Sequence, residues 1–236
     1  MHINNLLDYL HTIFSFNEAQ PLIFTQFYFW AFFAIVFALF SLLYNKRLLR
    51  STFLFFISLF FYFKTSGLFV LMLIFSVIFN FFIGKWIFKA NTTTKKKIVL
   101  AVSVILNMGV LFYFKYAYFF TDIYNNLFHT NNQVLNYLAK WSNAFTGTHF
   151  SIEQILLPVG ISFFTFQIIS YVIDVYRERI KPVTNVLDFG FYVTFFPQLV
   201  AGPIVRANEF VPQIYEKFFL SNKQFGIALF WILNGM

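Results

Sequence analysis

An all-α, polytopic transmembrane protein is predicted by three features of the chain. Of its 236 residues, 59% are hydrophobic and only 11% are charged, and the mean hydropathy is +0.70. A soluble domain is about 25% charged, and a soluble core of this size could not hide so much apolar surface. Apolar runs recur along the chain at lengths near the ~20 residues that cross a bilayer as a helix. Most of the 17 Lys and Arg residues lie between those runs rather than on one soluble face. That placement points to membrane topology and away from nucleic acid. The expectation is a single membrane domain over 1–236 with about six to eight membrane segments. The chain has no Cys, which excludes a disulfide framework and a thiolate metal site, and no metal site is expected.

Residues 1–20 carry Leu6, Leu7, Leu10, Ile13 and Phe14 at helical spacing among polar residues. This suits a short amphipathic segment lying at the interface, and a frayed tail fits as well. A secretory signal needs a basic start, and no Lys or Arg precedes Lys46. Apolar runs follow at 22–44, 48–63, 67–88 and 98–120, separated by "NKRLLR", "KTSG" and "KANTTTKKK". Residues 121–154 are polar, with Asn125, Asn126, Asn131 and Asn132, and read as an extracytoplasmic loop with a short helix around "VLNYLAKW". Two more runs occupy 155–175 and 187–205, and a last one begins at Phe225. That last run, "FGIALFWILNGM", is too short to span. The expectation drawn from it is the N-terminal part of a longer protein, the alternative being a terminal helix on the surface.

Basic residues alternate in density between connections. Lys46, Arg47 and Arg50, then Lys85, Lys89, Lys95, Lys96 and Lys97, then Arg177, Arg179 and Lys181 occupy every second one. The opposite connections hold Lys64, Lys115 and Lys140. The positive-inside rule then places the N-terminus outside and the three basic loops in the cytoplasm. Beyond Lys181 the charges balance and the rule is silent.

The densest set of polar groups within apolar sequence lies in 156–206. Pro158 and Gly160 loosen the start of its first half, and Ser162, Thr165, Gln167, Ser170, Tyr171 and Asp174 follow along one helix. Ser162, Thr165 and either Gln167 or Ser170 fall near one stripe, which serves as glue between helices or as the lining of a polar path, since a mid-depth Gln must face protein or water. Asp174 fits an interfacial ion pair with Arg177 or Arg179, or a functional carboxylate. In the second half, "FFPQLVAGPIVR", Pro197 and Pro203 each remove a backbone donor. Carbonyls freed in lipid must meet protein or water. Residues 187–210 are therefore expected to be either a kinked span or a re-entrant piece lining a cavity. Arg206, just beyond, is either a snorkelling anchor or a permanent charge for an anionic group.

"LPVGISFFTFQIISYVIDVYR" followed by "DFGFYVTFFPQLVAGPIVR", with "FYFKYAYFF" at 112–120, resembles the membrane-bound O-acyltransferase family. Its branch of bacterial alginate O-acetylases and relatives that acetylate polysaccharide or peptidoglycan is the most similar, and the D-alanyl transferase of teichoic acid modification is more distant. The resemblance implies a ring of helices around a tunnel and transfer of an acyl group, acetyl in this branch, to an extracytoplasmic hydroxyl. It implies a multi-pass protein of the bacterial cytoplasmic (inner) membrane and no bound cofactor. The donor is acyl-CoA or an acyl group borne by a partner, and the acceptor is a polysaccharide or peptidoglycan, with a periplasmic SGNH-type partner. Ser162, Gln167, Tyr171, Asp174, Gln198, Gly202, Pro203 and Arg206 become the candidates for lining the tunnel or holding substrate.

The family's essential histidine lies in an apolar helix of its C-terminal half. An imidazole suits removal of the acceptor's proton near neutrality. Here His2 and His11 lie in the first segment, and His129 and His149 in the polar loop. No catalytic residue is assigned to this chain, and the histidine is expected beyond Met236. Two other readings are a transporter or flippase-like module, and a non-catalytic membrane scaffold. No second "PxGxSF" or "GPIxR" occurs, which weighs against the paired halves of a transporter.

Overall fold

The computed structural model describes residues 27–43, 46–137, 140, 143–144, 152, 155, 157–199, 202–216 and 219–235. The expected amphipathic segment 1–20, and with it His2 and His11, lies outside the described residues, as do His149 and the tip around Thr146. The described elements are helices: α1 (Phe27–Leu43), α2 (Arg47–Ser66), α3 (Phe69–Lys89), α4 (Thr93–Phe128), α5 (Ile161–Tyr176), α6 (Val186–Thr194), α7 (Phe196–Leu199), α8 (Ala207–Tyr215) and α9 (Asn222–Gly235). Within α2, α3 and α4, stretches of 19, 21 and 36 residues are long and apolar enough to cross a membrane. Phe29–Leu43 and Ile161–Tyr176 are shorter apolar helices.

Short connections fix the up-and-down order. Gly67 ends α2 at φ 59°, a conformation glycine adopts without a Cβ penalty, and its N–H returns to Phe63 O. Thr92 begins α4 by accepting from the N–H of Lys95. The start of α2, the end of α3 and the start of α4 therefore share one end of the bundle. α5 runs back to that end, where Lys96 Nζ sits 2.6 Å from Glu178 Oε1 and Lys85 Nζ donates to Thr184 O at 3.2 Å. The three basic clusters of the sequence thus gather at one end.

α3 is apolar on all sides, and the fold divides it. Leu73, Val77, Phe81, Ile83 and Ile87 are buried, while Leu71, Phe75, Ile78, Phe82 and Trp86 face outward at helical spacing. The buried face of α4 carries Ser103 and Asn107 beside the apolar Leu111 and Phe114. Asn80 and Asn107 exchange hydrogen bonds through their side-chain amides at 3.1 and 2.9 Å, and Ser103 Oγ donates to Asn80 Oδ1 at 2.9 Å. Small polar side chains paired across helices are the expected glue in lipid, where apolar contact with a neighbour gains little over apolar contact with tails.

α4 continues to Phe128, eight residues into the segment read from sequence as loop from 121. Its polar end persists as helix because Asn125 organises the stop. His129 closes it in the left-handed conformation at φ 50°. Asn125 Oδ1 accepts from Thr130 Oγ1 and from the N–H of Asn132. Of the expected helix around "VLNYLAKW" and the residues just after it, Tyr137, Lys140, Asn143 and Ala144 are helical.

A second cluster joins α1, α2 and α7. Phe196 packs its ring against Phe61 at 5.2 Å and Phe32 at 5.6 Å, with Phe29 and Val36 buried beside them.

Candidate functional site

α6 enters the bundle from the basic end. Asn185 starts it by accepting from the N–H of Leu187. Asp188 in the first turn favours the helix N-terminus electrostatically. The helix breaks at Phe195, whose ψ of 107° is extended. Two groups that a continuing helix would pair, Tyr192 O and the N–H of Phe196, are left over. Both find partners from neighbouring helices. Gln167 Nε2 of α5 donates to Tyr192 O at 2.8 Å, and the N–H of Phe196 donates to Ser58 Oγ of α2 at 3.2 Å.

The chain then turns over at Pro197–Pro203 and comes back. Gln198 closes the turn from both sides: its O accepts from the N–H of Gly202 at 2.8 Å and its Nε2 donates to Pro203 O at 2.9 Å. A Cβ on Gly202 would lie 2.7 Å from Gln198 Cα, so the turn requires glycine there. α8 returns to the end where α6 began. Tyr215 at its close donates to Asp188 Oδ2 at 2.8 Å. Arg50 of α2 donates to Ile214 O at 2.7 Å and Glu216 O at 3.1 Å. Residues 187–210 thus fold back as a hairpin rather than running on as one kinked helix.

The tip reaches the start of α5. Gly160 sits at φ 73°, and a Cβ there would come within 2.4 Å of Leu199 O. Left-handed backbone and close approach both demand glycine. Ser66 Oγ accepts from the N–H of Val159, which ties this corner to α2.

The sequence-predicted residues divide into three groups. Gln167, Gln198, Gly202 and Pro203 come together to build and hold the hairpin. Tyr171 and Asp174 lie nearer the basic end and hold loops. Tyr171 is buried over Gly84, accepts from the N–H of Val183 at 3.2 Å and packs on Phe189 at 4.5 Å. Asp174 is buried and pairs with Arg179 at 3.5 Å, the interfacial pair that the sequence allowed. Ser162 and Arg206 stand apart. Ser162 is half-buried in the first turn of α5. Arg206 begins α8, is exposed, and has no side-chain partner among the described residues.

Sequence reasoning missed three features. Arg50 was counted only as a basic residue near a loop, yet it is 7% exposed and closes α8. Asp188 and Tyr215 bind the two limbs together across 27 residues, with no local signal. Thr194 Oγ1, in the last turn of α6, is buried with no hydrogen-bond partner among the described residues. A cavity of about 360 Å³ opens between α1, α2, α6 and α8, lined by Phe40, Arg50, Leu54, Phe195, Phe210 and Ile214 among others. None of the eight sequence-predicted residues lines it. What the arrangement offers chemically is a fixed break with a permanent cation at its exit.

No protein-family model matches the chain, and no solved structure matches it. Curated relatives do. The chain is 37% identical over 141 residues to the probable alginate O-acetylase AlgI of Pseudomonas aeruginosa, covering 59% of this chain and 24% of that protein. It is 30% identical over 205 residues to the peptidoglycan O-acetyltransferase of Helicobacter pylori, covering 76% of this chain and 36% of that protein. It is 36% identical over 141 residues to the probable alginate O-acetylase AlgI of Azotobacter vinelandii, covering 59% of this chain and 26% of that protein. The matches thus span 24–36% of the length of these relatives.

Proposed function

We infer that this chain, which belongs to the membrane-bound O-acyltransferase family with the O-acetylases it resembles, takes part in O-acetylation of an extracytoplasmic polysaccharide or peptidoglycan. The observation that carries the reading is the re-entrant hairpin. The polar residues that resemble the family's motifs build its turn and its seat on α5. Broken backbone at membrane depth belongs where it lines a protein-enclosed path.

In this reading the acceptor hydroxyl oxygen attacks the acyl carbonyl carbon, and the donor leaves as its thiol or alcohol. Arg206, beside the Gly-Pro turn, holds an anionic part of donor or acceptor as a permanent charge with a planar fork of donors. Gln167, Gln198 and Asp188 are positioning residues that keep the hairpin in place. The acceptor's proton passes by way of an imidazole to the departing donor, and no histidine of this chain is assigned that role. Donor candidates are acyl-CoA and a partner-borne acyl group, and an SGNH-type partner would carry the acyl group onward outside. The chain is proposed to sit in the bacterial inner membrane with its basic end in the cytoplasm, from the distribution of Lys and Arg.

The test is Arg206→Ala, read as base-releasable acetate on the cell-envelope polymer alongside immunoblotted membrane abundance. The reading expects acetate to fall at least about tenfold, the loss of one charged contact, at unchanged abundance. A matched fall in both overturns the substrate role of Arg206, and no acetate dependence on this protein at all overturns the activity.

A further inference from the structure

The basic end of the bundle is more than a topology signal, because three separate elements are stitched there into one surface. Lys96 is paired with Glu178 at 2.6 Å and Arg179 with Asp174 at 3.5 Å. Lys85 is engaged with Thr184 O at 3.2 Å and lies over the Phe81 ring at 4.1 Å. These contacts lock the end of α3, the start of α4 and the turn after α5 together. They use up the carboxylates of Asp174 and Glu178, and that of Asp188 accepts from Tyr215. Lys89, Lys95, Lys97, Arg177 and Lys181 remain exposed on the same rim with no carboxylate partner among the described residues. Cations gathered at one end of a bundle repel one another unless an anion lies between or beside them.

A second feature selects which anion. The outward stripe of α3, Phe75, Ile78, Phe82 and Trp86, runs along the apolar surface and ends one turn before Lys89. Trp86 is 57% exposed, and an outward Trp at a helix end fits the headgroup level of a bilayer. Apolar surface leading directly into unpaired cations matches a molecule with acyl chains at one end and a phosphate at the other. A soluble phosphate would use the cations and leave the stripe unused.

We propose that this rim is a binding surface for anionic phospholipid, with phosphate headgroups among Lys89, Lys95, Lys97, Arg177 and Lys181 and acyl chains along Phe75, Phe82 and Trp86. The lipid seals the junction of α3, α4 and the turn after α5 from water.

Native mass spectrometry of the full chain in detergent, titrated separately with phosphatidylglycerol and phosphatidylcholine, tests the surface. Phosphatidylglycerol, the anionic lipid, should be retained preferentially, and the preference should fall with added salt. Lys89→Gln/Lys95→Gln/Lys97→Gln should reduce it about tenfold or more, since each cation near an anionic surface contributes severalfold. Lys115→Gln at the other end should leave it intact. Lys89→Arg/Lys95→Arg/Lys97→Arg should keep it, which separates lost charge from lost fold. Equal retention of both lipids overturns the proposal, as does a Gln variant with undiminished preference. Displacement of the lipid by equimolar inorganic phosphate overturns the lipid assignment in favour of a soluble anion.

Discussion

Gln167 donates its side-chain amide to the carbonyl oxygen of Tyr192 across 2.8 Å, and so occupies the acceptor that the break in α6 leaves without its helical partner. Both residues are buried. Gln167→Leu should therefore lower stability by about 1–3 kcal/mol, the cost of a buried group left unpaired. Gln167→Glu should be worse at neutral pH, because a carboxylate opposes a carbonyl and lacks the donor. Thermal unfolding in detergent checks both, and a Leu variant as stable as the parent refutes the clamp.

Glycines at the hairpin should be intolerant where others are not. Gly160→Ala meets Leu199 O and a left-handed φ, so it should cost about 1–3 kcal/mol or more. At Gly109, inside α4, an added Cβ meets nothing within 4 Å. Gly109→Ala should be neutral or stabilising by up to about 1 kcal/mol. Opposite signs in paired melting curves are the expected result.

Arg50 closes α8 with two bonds to carbonyl oxygens. Both bonds leave Nη2, so Arg50→Lys should not rescue, because the lysine arm is one bond shorter and its ammonium stops short of the point from which both carbonyls are reached. Both Arg50→Ala and Arg50→Lys should raise protease cleavage within 202–216 of the purified chain. Protection equal to that of the parent in the Lys variant would show that charge alone suffices.

The hydrogen bond and charge of Lys96 hold the Glu178 carboxyl below the usual carboxylate range. A depressed folded value means that the pair stabilises above the unfolded pKa of about 4.3 and loses that contribution as pH falls through the lower folded value. Lys96→Gln should raise the Glu178 midpoint, measured by carbon NMR of labelled glutamate. The stability gap between variant and parent should close in acid. An unchanged midpoint means that the pair does not form in solution.

Sidedness can be read with single cysteines, since the chain has none of its own. Thr93→Cys and Glu178→Cys are exposed at the basic end, and Asn126→Cys at the other. An impermeant reagent on intact cells should label only Asn126→Cys. Ser51 lies near the basic residues in sequence but is 2% exposed, so it makes a poor probe.

The helices and the break were legible because they rest on local rules: apolar run length, Pro and Gly placement, and charge between runs. What faces what was not. α3 is apolar all round, so no periodicity separates its buried side from its lipid side. Asn80 and Asn107 mark the inner faces of α3 and α4, and an amide inside an apolar run was the signal available to find them. Gln167 was singled out, but its partner was not, because Tyr192 O is orphaned only by the three-dimensional break. Arg50 was read by its charge alone. Its burial depends on a carbonyl 164 residues away.

A turn-back has an arithmetical consequence. A span changes the side on which the following chain emerges, and a hairpin that goes in and comes out by the same face does not. With Tyr215 brought back to Asp188, residues 186–216 contribute an even number of passages, namely none. The chain that closes α8 at Tyr215 is therefore back beside the start of α6. The sidedness of α9 would then be exchanged relative to a count that scores 187–205 as a crossing. Hydropathy alone does not register the return, and the hydrogen bond between Tyr215 and Asp188 does.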